Sequence, residues 1–264
     1  MVVTGLTVIS CTRSPRADGL PVRVRLLGVL AAASLILLVT VPVVAQEPGQ
    51  RDAERTQAAR RGMVDLIAAR GVVDSATLRA MVRVPRHEFV PASGRSRAYG
   101  DHPLPIGYGQ TISQPYIVAY MTEVIGVRPG MKVLEVGTGS GYQAAVLADI
   151  EARVFTMELV GALATSASER LERLGYANVT VRHADGHFGW EEEAPFDAVI
   201  VTAAAGYIPP ALTAQLRRGG RMVIPVGSVY GIQNLVLVEK GQDGRLRTSN
   251  LLPVRFVPML EGLR

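Results

Sequence analysis

The chain has 264 residues, 48% of them hydrophobic, which is enough for one sizeable core and excludes a disordered or fibrous protein. Its formal charge of +5 is unevenly placed: Arg13, Arg16, Arg23 and Arg25 against Asp18 leave +3 ahead of residue 46, so 24 basic and 22 acidic residues follow and the body carries +2. That is a solvated surface, with no stripe of lysine and arginine interleaved with aromatics to mark a nucleic-acid partner.

Residues 26–46 carry no charge, and the arginines stand on their N-terminal side. A basic start, an apolar stretch to about Val41, the breaker Pro42 and the small-residue ending Val43-Val44-Ala45 predict a secretory signal over residues 1–45, cut after Ala45, and a periplasmic destination. Two alternatives stand beside it: an uncleaved membrane anchor, since ~20 apolar residues span a bilayer, and a cytoplasmic protein whose true start lies nearer Val22. Membrane contact is expected through this segment alone. Cys11, the only cysteine, precedes the cut, so neither a disulfide nor a thiol nucleophile is expected after it.

Residues 46–61, with EPGQRDAERTQAARR, are charged and poor in apolar side chains and read as a linker, leaving 62–264 as the folded domain. Met63, Leu66 and Ile67 fall at helical spacing before Gly71, and Asp74 or Ser75 can cap a second helix that carries Leu78, Met81 and Val82 and ends at Pro85. These predict a small N-terminal helical appendage. The run GQTISQPY at 109–116 is polar and rich in turn formers, and Thr111 or Ser113 can cap the helix suggested by YIVAYMTE. From Lys132 short apolar runs alternate with helical segments, which predicts an α/β fold: a doubly wound, mostly parallel sheet. The strand candidates are 133–136, 154–157, 179–182, 198–201, 222–225 and 235–239, with 254–257 closing the sheet; helices are expected at 142–148, 163–174 and 210–216. Gly219-Gly220 and Gln242-Asp243-Gly244 are turn signals, the second of hairpin composition, so an antiparallel edge strand is expected.

Gly137-Thr138-Gly139-Ser140-Gly141 follows an apolar strand and opens a helix at Tyr142 and Gln143. Such a loop lets a ligand approach the backbone and offers it the unpaired N–H groups of a helix start, although it can also be a turn that merely packs strand on helix. Glu158, followed by Leu159, ends the next strand where an acid accepts from ribose hydroxyls, or serves as a helix-start acid. Asp185-Gly186 follows the third strand and can meet an adenine edge or make a turn. A dinucleotide loop reads G-x-G-x-x-G, whereas this one reads G-x-G-x-G, which favours S-adenosyl-L-methionine over NAD.

At this point the sequence resembles the protein-L-isoaspartate (D-aspartate) O-methyltransferase family, over roughly residues 62–260. The resemblance runs through VPRHEFVP (84–91), LPIGYGQTISQPYIVAYMTE (104–123), VLEVGTGSGYQAAVLA (133–148), APFDAVIVTAAA (194–205), GGRMVIPVG (219–227) and VRFVPM (254–259). Its TIS segment is particular to that family. The resemblance implies the adenosylmethionine-dependent methyltransferase fold, S-adenosyl-L-methionine as cofactor, and isoaspartyl-containing proteins and peptides as substrates. The free α-carboxyl of L-isoaspartyl and D-aspartyl residues would be methylated to begin repair. It further implies Ser113 as the catalytic residue that holds the substrate carboxyl, Gln110, Thr111 and Ile112 beside the cofactor, and Glu135 as the acid typical of the adenosylmethionine loop. Gly137, Thr138, Gly139, Gly141, Gln143, Glu158, Leu159, Asp185 and Gly186 complete the candidate cofactor set. Ala184 departs from the glycine common in the family at that position, while Asp185 is kept. A monomer is expected.

The chemistry suits those residues. A carboxylate with a pKa near 4 is ionised at neutral pH and attacks a sulfonium methyl without a general base. Alignment is what the protein must supply, and it is worth ~7–11 kcal/mol in favourable cases. A short segment bearing only small hydroxyls is sufficient for that. No N-P-P-Y-like box follows the strand ending at Val201, which argues against amino-group methylation, and His87, His102, His183 and His187 lack metal-ligand spacing, so no metal is expected. Two other readings stay open: an exported methyltransferase for another carboxylate or a small molecule, and an inactive adenosylmethionine-binding module, since the cofactor is made in the cytosol.

Overall fold

The computed structural model describes residues 48–228 and 230–262. The expected leader, with Cys11 and the cut after Ala45, lies outside the described residues. The stretch read as a linker is helical from Pro48 onward: α1 spans Pro48–Ala69. Proline is pre-shaped for a first helical turn, and the alanine, arginine, glutamine and glutamate that follow are good helix formers, so a lack of apolar residues did not mean a lack of structure. The C-terminal half of α1 buries Met63, Val64 and Ile67. From the same helix Arg60 donates to the carbonyls of Val82 (3.1 Å) and Arg83 (2.9 Å), which closes the last turn of α2, Ser75–Arg83. The start of α2 is capped as expected by Asp74, whose carboxylate accepts from the Thr77 N–H at 2.9 Å.

The polar run ahead of the sheet holds a hairpin that turn composition had hidden. β1, Leu104–Gly107, pairs antiparallel with β2, Gln110–Ile112, across the two residues Tyr108 and Gly109, both with positive φ (53° and 70°). Such two-residue turns match strand twist, and strands this short show no periodicity to read. α3 follows at Pro115–Ile125. Its N-cap is Gln114, which makes no side-chain cap bond, so neither Thr111 nor Ser113 caps the helix. Asp101 does that work from a distance: one carboxylate oxygen accepts from the Tyr116 N–H at 2.9 Å, and the other accepts from Gln114 Nε2 at 2.8 Å and pairs with Arg70.

The body alternates β3 (Lys132–Val136), α4 (Tyr142–Asp149), β4 (Arg153–Glu158), α5 (Gly161–Arg173), β5 (Val179–His183), β6 (Phe196–Val201), α6 (Pro210–Gln215), β7 (Leu216–Gly227), β8 (Gln233–Lys240) and β9 (Leu246–Val254). These strands form one sheet ordered β5-β4-β3-β6-β7-β8-β9, parallel as far as β7 and antiparallel at β8 and β9. The expected doubly wound fold with an antiparallel edge is present. Successive residues of β3 fall on opposite faces: Val133 joins the core shared with α1 to α4, and Leu134 joins the core on the other face with Leu212 of α6. The N-terminal helices therefore bury their apolar faces in the sheet's own core.

Two edge details differ from expectation. The closing strand is β9, which ends at Val254, and residues 255–257 lie beyond it; its first five positions are exposed, and all but Leu246 are polar, as an edge strand tolerates. Gly219-Gly220 lies inside a bulged β7, where the pairing jumps from Phe196↔Leu216 to Ala198↔Arg221. Strand order reverses between β3 and β6, which opens a crevice at their carboxyl ends.

Candidate active site

That crevice is a cleft floored by the end of β3 and the glycine loop, walled by β2 and the start of α3, and closed on one side by residues 257–260. Gln110, Thr111, Ile112, Ser113, Glu135, Gly137, Thr138, Gly139, Gln143, Glu158, Leu159 and Gly186 all line it. Two predicted residues do not. A side chain on Gly141 would meet Leu171 of α5 at 3.1 Å, so this glycine serves helix packing. Asp185 spends its carboxylate inside the protein: it accepts from the His187 N–H (2.9 Å), the His187 ring (2.9 Å) and the Gly262 N–H (2.8 Å). Burial raises this carboxyl, but the donors of His187 and Gly262 together hold it below its ordinary value. Asp185 thus ties down the segment that closes the cleft.

The loop is shaped for close approach by a ligand. At Gly137, with φ of 99°, an added Cβ would lie 2.4 Å from Thr202 Oγ1; at Gly186 it would lie 2.3 Å from Val136 Cγ1. Thr202 secures the loop by donating to the carbonyls of Val136 (3.0 Å) and Gly137 (2.6 Å). Glu158 straps the opposite side, accepting from the N–H groups of Gly139 (2.7 Å) and Val160 (2.9 Å).

Beneath the loop, Thr138 donates to Thr156 at 2.7 Å, and Thr156 donates to Glu135 Oε2 at 2.5 Å. Glu135 is fully buried, and its Oε1 has no partner among the described residues. Burial pushes its carboxyl up to about 8, against the lowering effect of the Thr156 bond. A ligand with a cation or a donor would relieve that orphaned oxygen. The lining favours one ligand class: it holds two acidic side chains, Glu135 and Glu158, and no lysine, arginine or histidine. A pyrophosphate would find no cation there, whereas a sulfonium ligand with an ammonium group fits.

Beside the cleft runs an open groove lined by Pro103, Gln114, Ile117, Ile232 and residues 253–257. Thr111, Ser113, Thr202 and Val257 line both spaces. The Ser113 hydroxyl stands at this junction with no hydrogen-bond partner among the described residues.

A family model described as protein-L-isoaspartate(D-aspartate) O-methyltransferase matches residues 58–264. The chain belongs to this family. Protein-L-isoaspartate O-methyltransferase 2 of Syntrophobacter fumaroxidans is 60% identical over 190 residues, covering 72% of this chain and 77% of that one. Protein-L-isoaspartate O-methyltransferase 1 of Cupriavidus necator is 49% identical over 238 residues, covering 89% of this chain and 92% of that one. A solved Plasmodium falciparum chain, described as a protein-L-isoaspartate O-methyltransferase in complex with S-adenosyl-L-homocysteine, superposes with a TM-score of 0.67 at 26% identity, covering 77% of this chain and 99% of that chain. The match to the family begins inside the stretch expected to be a linker, close to Arg60 and its bonds to α2.

Residue reading passed over Thr202, which looked like the plain end of a strand, and the closing residues 257–260. Their only signals were the APFDAVIVTAAA and VRFVPM segments of the resemblance, which carried no role for them. Backbone bonds hold this segment in place: Ala204 N–H donates to the Val257 carbonyl, and Met259 N–H to the Ala204 carbonyl, both at 2.8 Å.

Proposed function

We propose that this chain methylates the free carboxyl of damaged aspartyl residues in proteins: the α-carboxyl of L-isoaspartyl residues and the side-chain carboxyl of D-aspartyl residues. Membership in the family supports the reading, and the observation that carries it is the shared wall between cleft and groove, with the unpartnered Ser113 hydroxyl on it. When bound, S-adenosyl-L-methionine supplies an electrophilic methyl group on a sulfonium centre. Gln110, Ile112, Glu135, the backbone of residues 137–139, Gln143, Glu158, Leu159 and Gly186 would hold it in the cleft. Ser113 then donates to one oxygen of the substrate carboxylate and fixes the direction of the other. No residue has to remove a proton, because the nucleophile is already an anion. The ester formed has a better leaving group than the free acid, so the neighbouring backbone amide nitrogen can attack its carbonyl, break the C–OCH3 bond and release methanol with the amide proton, closing a succinimide whose hydrolysis returns some normal aspartate.

The deciding measurement is transfer of radiolabelled methyl groups to an isoaspartyl peptide and to its aspartyl counterpart. Labelling of the first alone is expected; equal labelling of the two, or none, defeats the reading. We also propose a monomer that is exported to the periplasm after cleavage behind Ala45, on the strength of the apolar, uncharged leader. An intact N-terminus in the mass of the mature protein would defeat the cleavage.

A further inference from the structure

The groove beside Ser113 has a lopsided chemistry. Its lining is apolar or neutral except at one position, Arg255, and it contains no carboxylate. Some exposed arginines of the body are engaged, as Arg70 is with Asp101, Arg217 with Asp197 and Arg221 with Glu239, and others such as Arg61 and Arg153 are unpaired on open surface; Arg255 is the one that lines the groove. Arg255 is exposed and makes no hydrogen bond, ion pair or ring contact with any described residue. Yet the backbone on either side of it is fixed. Phe256 N–H donates to Gln233 Oε1 at 2.9 Å, and the Val257 carbonyl accepts from Ala204 N–H at 2.8 Å. A pinned main chain therefore presents an unpaired cation to the groove.

Arg255 lines the groove and not the cofactor cleft, whereas Ser113 lines both. The reacting carboxylate belongs at the cofactor cleft, which Ser113 lines and Arg255 does not. Pairing the reacting oxygen with a guanidinium would in any case withdraw the electron density that attack requires. We propose that Arg255 is a specificity subsite for a second anion on the same substrate: the side-chain carboxylate of an aspartate or glutamate flanking the isoaspartyl residue. This deepens the isoaspartyl reading and rests on it.

The test uses three isoaspartyl peptides that differ only in the flanking residue, which is Glu, Gln or Lys. The kcat/KM for methyl transfer is expected to fall in the order Glu, Gln, Lys, with Glu over Gln by about two- to fivefold, the range of an exposed ion pair. The ratio should narrow as ionic strength rises from about 0.05 to about 0.5 M, because exposed charges are screened. Arg255→Gln should bring the Glu to Gln ratio to one, and Arg255→Glu should invert the order in favour of Lys. Ratios within one variant do not depend on how much of it is folded. Equal kcat/KM for the three peptides in the unsubstituted protein, or an acidic preference that survives in Arg255→Gln, overturns the proposal. Absence of methyl transfer to every isoaspartyl peptide would sink the functional reading instead. Binding of the same peptides by fluorescence anisotropy, with S-adenosyl-L-homocysteine present, would then decide on Arg255 through the same ratios.

Discussion

Asp101 does not itself line the cleft, yet replacing it should damage catalysis. Its carboxylate holds the half-buried start of α3 through the Tyr116 N–H (2.9 Å) and Gln114 Nε2 (2.8 Å), and it pairs with Arg70, which stacks 3.6 Å from the Tyr116 ring centre. In Asp101→Ala the helix loses its only side-chain acceptor at that end, worth ~1 kcal/mol for a capping contact. The Arg70 pair is partly exposed, with 43% of the arginine side chain accessible, so it adds no more than ~1 kcal/mol. A total near ~2 kcal/mol corresponds to a fall of about 4–8 °C in Tm for a domain of this size. Ser113 precedes Gln114 directly, so losing the anchor also frees the register of the catalytic segment, and a displacement of about 1 Å costs on the order of 100-fold in rate. Thermal unfolding and steady-state methyl transfer on an isoaspartyl peptide should therefore both change in Asp101→Ala, and change less in Asp101→Asn, which keeps an acceptor for Tyr116. An unaltered Tm would refute the capping argument. A lowered Tm with unaltered kcat/KM would show that Asp101 supports the helix and does nothing for Ser113.

Ser113→Ala should lower kcat by about 10–100-fold, the value of one hydrogen bond to a charged group, while calorimetry finds cofactor affinity nearly unchanged. Gly137→Ala would force a Cβ to 2.4 Å from Thr202 Oγ1 at a φ of 99°. Cofactor affinity should fall at least about tenfold from that strain, measured by titration calorimetry. Because burial raises Glu135 from 4.5 to about 8, the folded protein keeps a proton that the unfolded chain has lost. Its ligand-free stability from this group is therefore full below the unfolded value and declines as pH rises through that window. Glu135→Gln removes the decline: its Tm should gain on the parent between pH 5 and 8 in thermal scans, and a constant difference would contradict the burial argument.

Much of this site could be read in advance because its parts are local. The glycine loop, the acid at the end of β4 and the hydroxyl segment each occupy a few consecutive residues, and each lines the cleft. What sequence concealed depends on contacts between distant residues. Asp185 looked like a base-binding acid, but whether its carboxylate faces a ligand or Gly262 is settled by a segment 77 positions further along. The helical start of α1 was hidden because its outer turns need no apolar face, and β9 because an edge strand with five exposed positions has nothing to alternate. The hairpin at 104–112 was too short to show a period.

The cofactor cleft and the groove adjoin at Thr111, Ser113, Thr202 and Val257, which line both. One molecule that joined an adenosine-like head to a short acidic peptide through a thioether would fill both at once. The second half would then bind at millimolar effective concentration instead of its bulk value, so a tether of the right length gains affinity without any new contact. That shared border makes bisubstrate compounds the natural inhibitors of this protein.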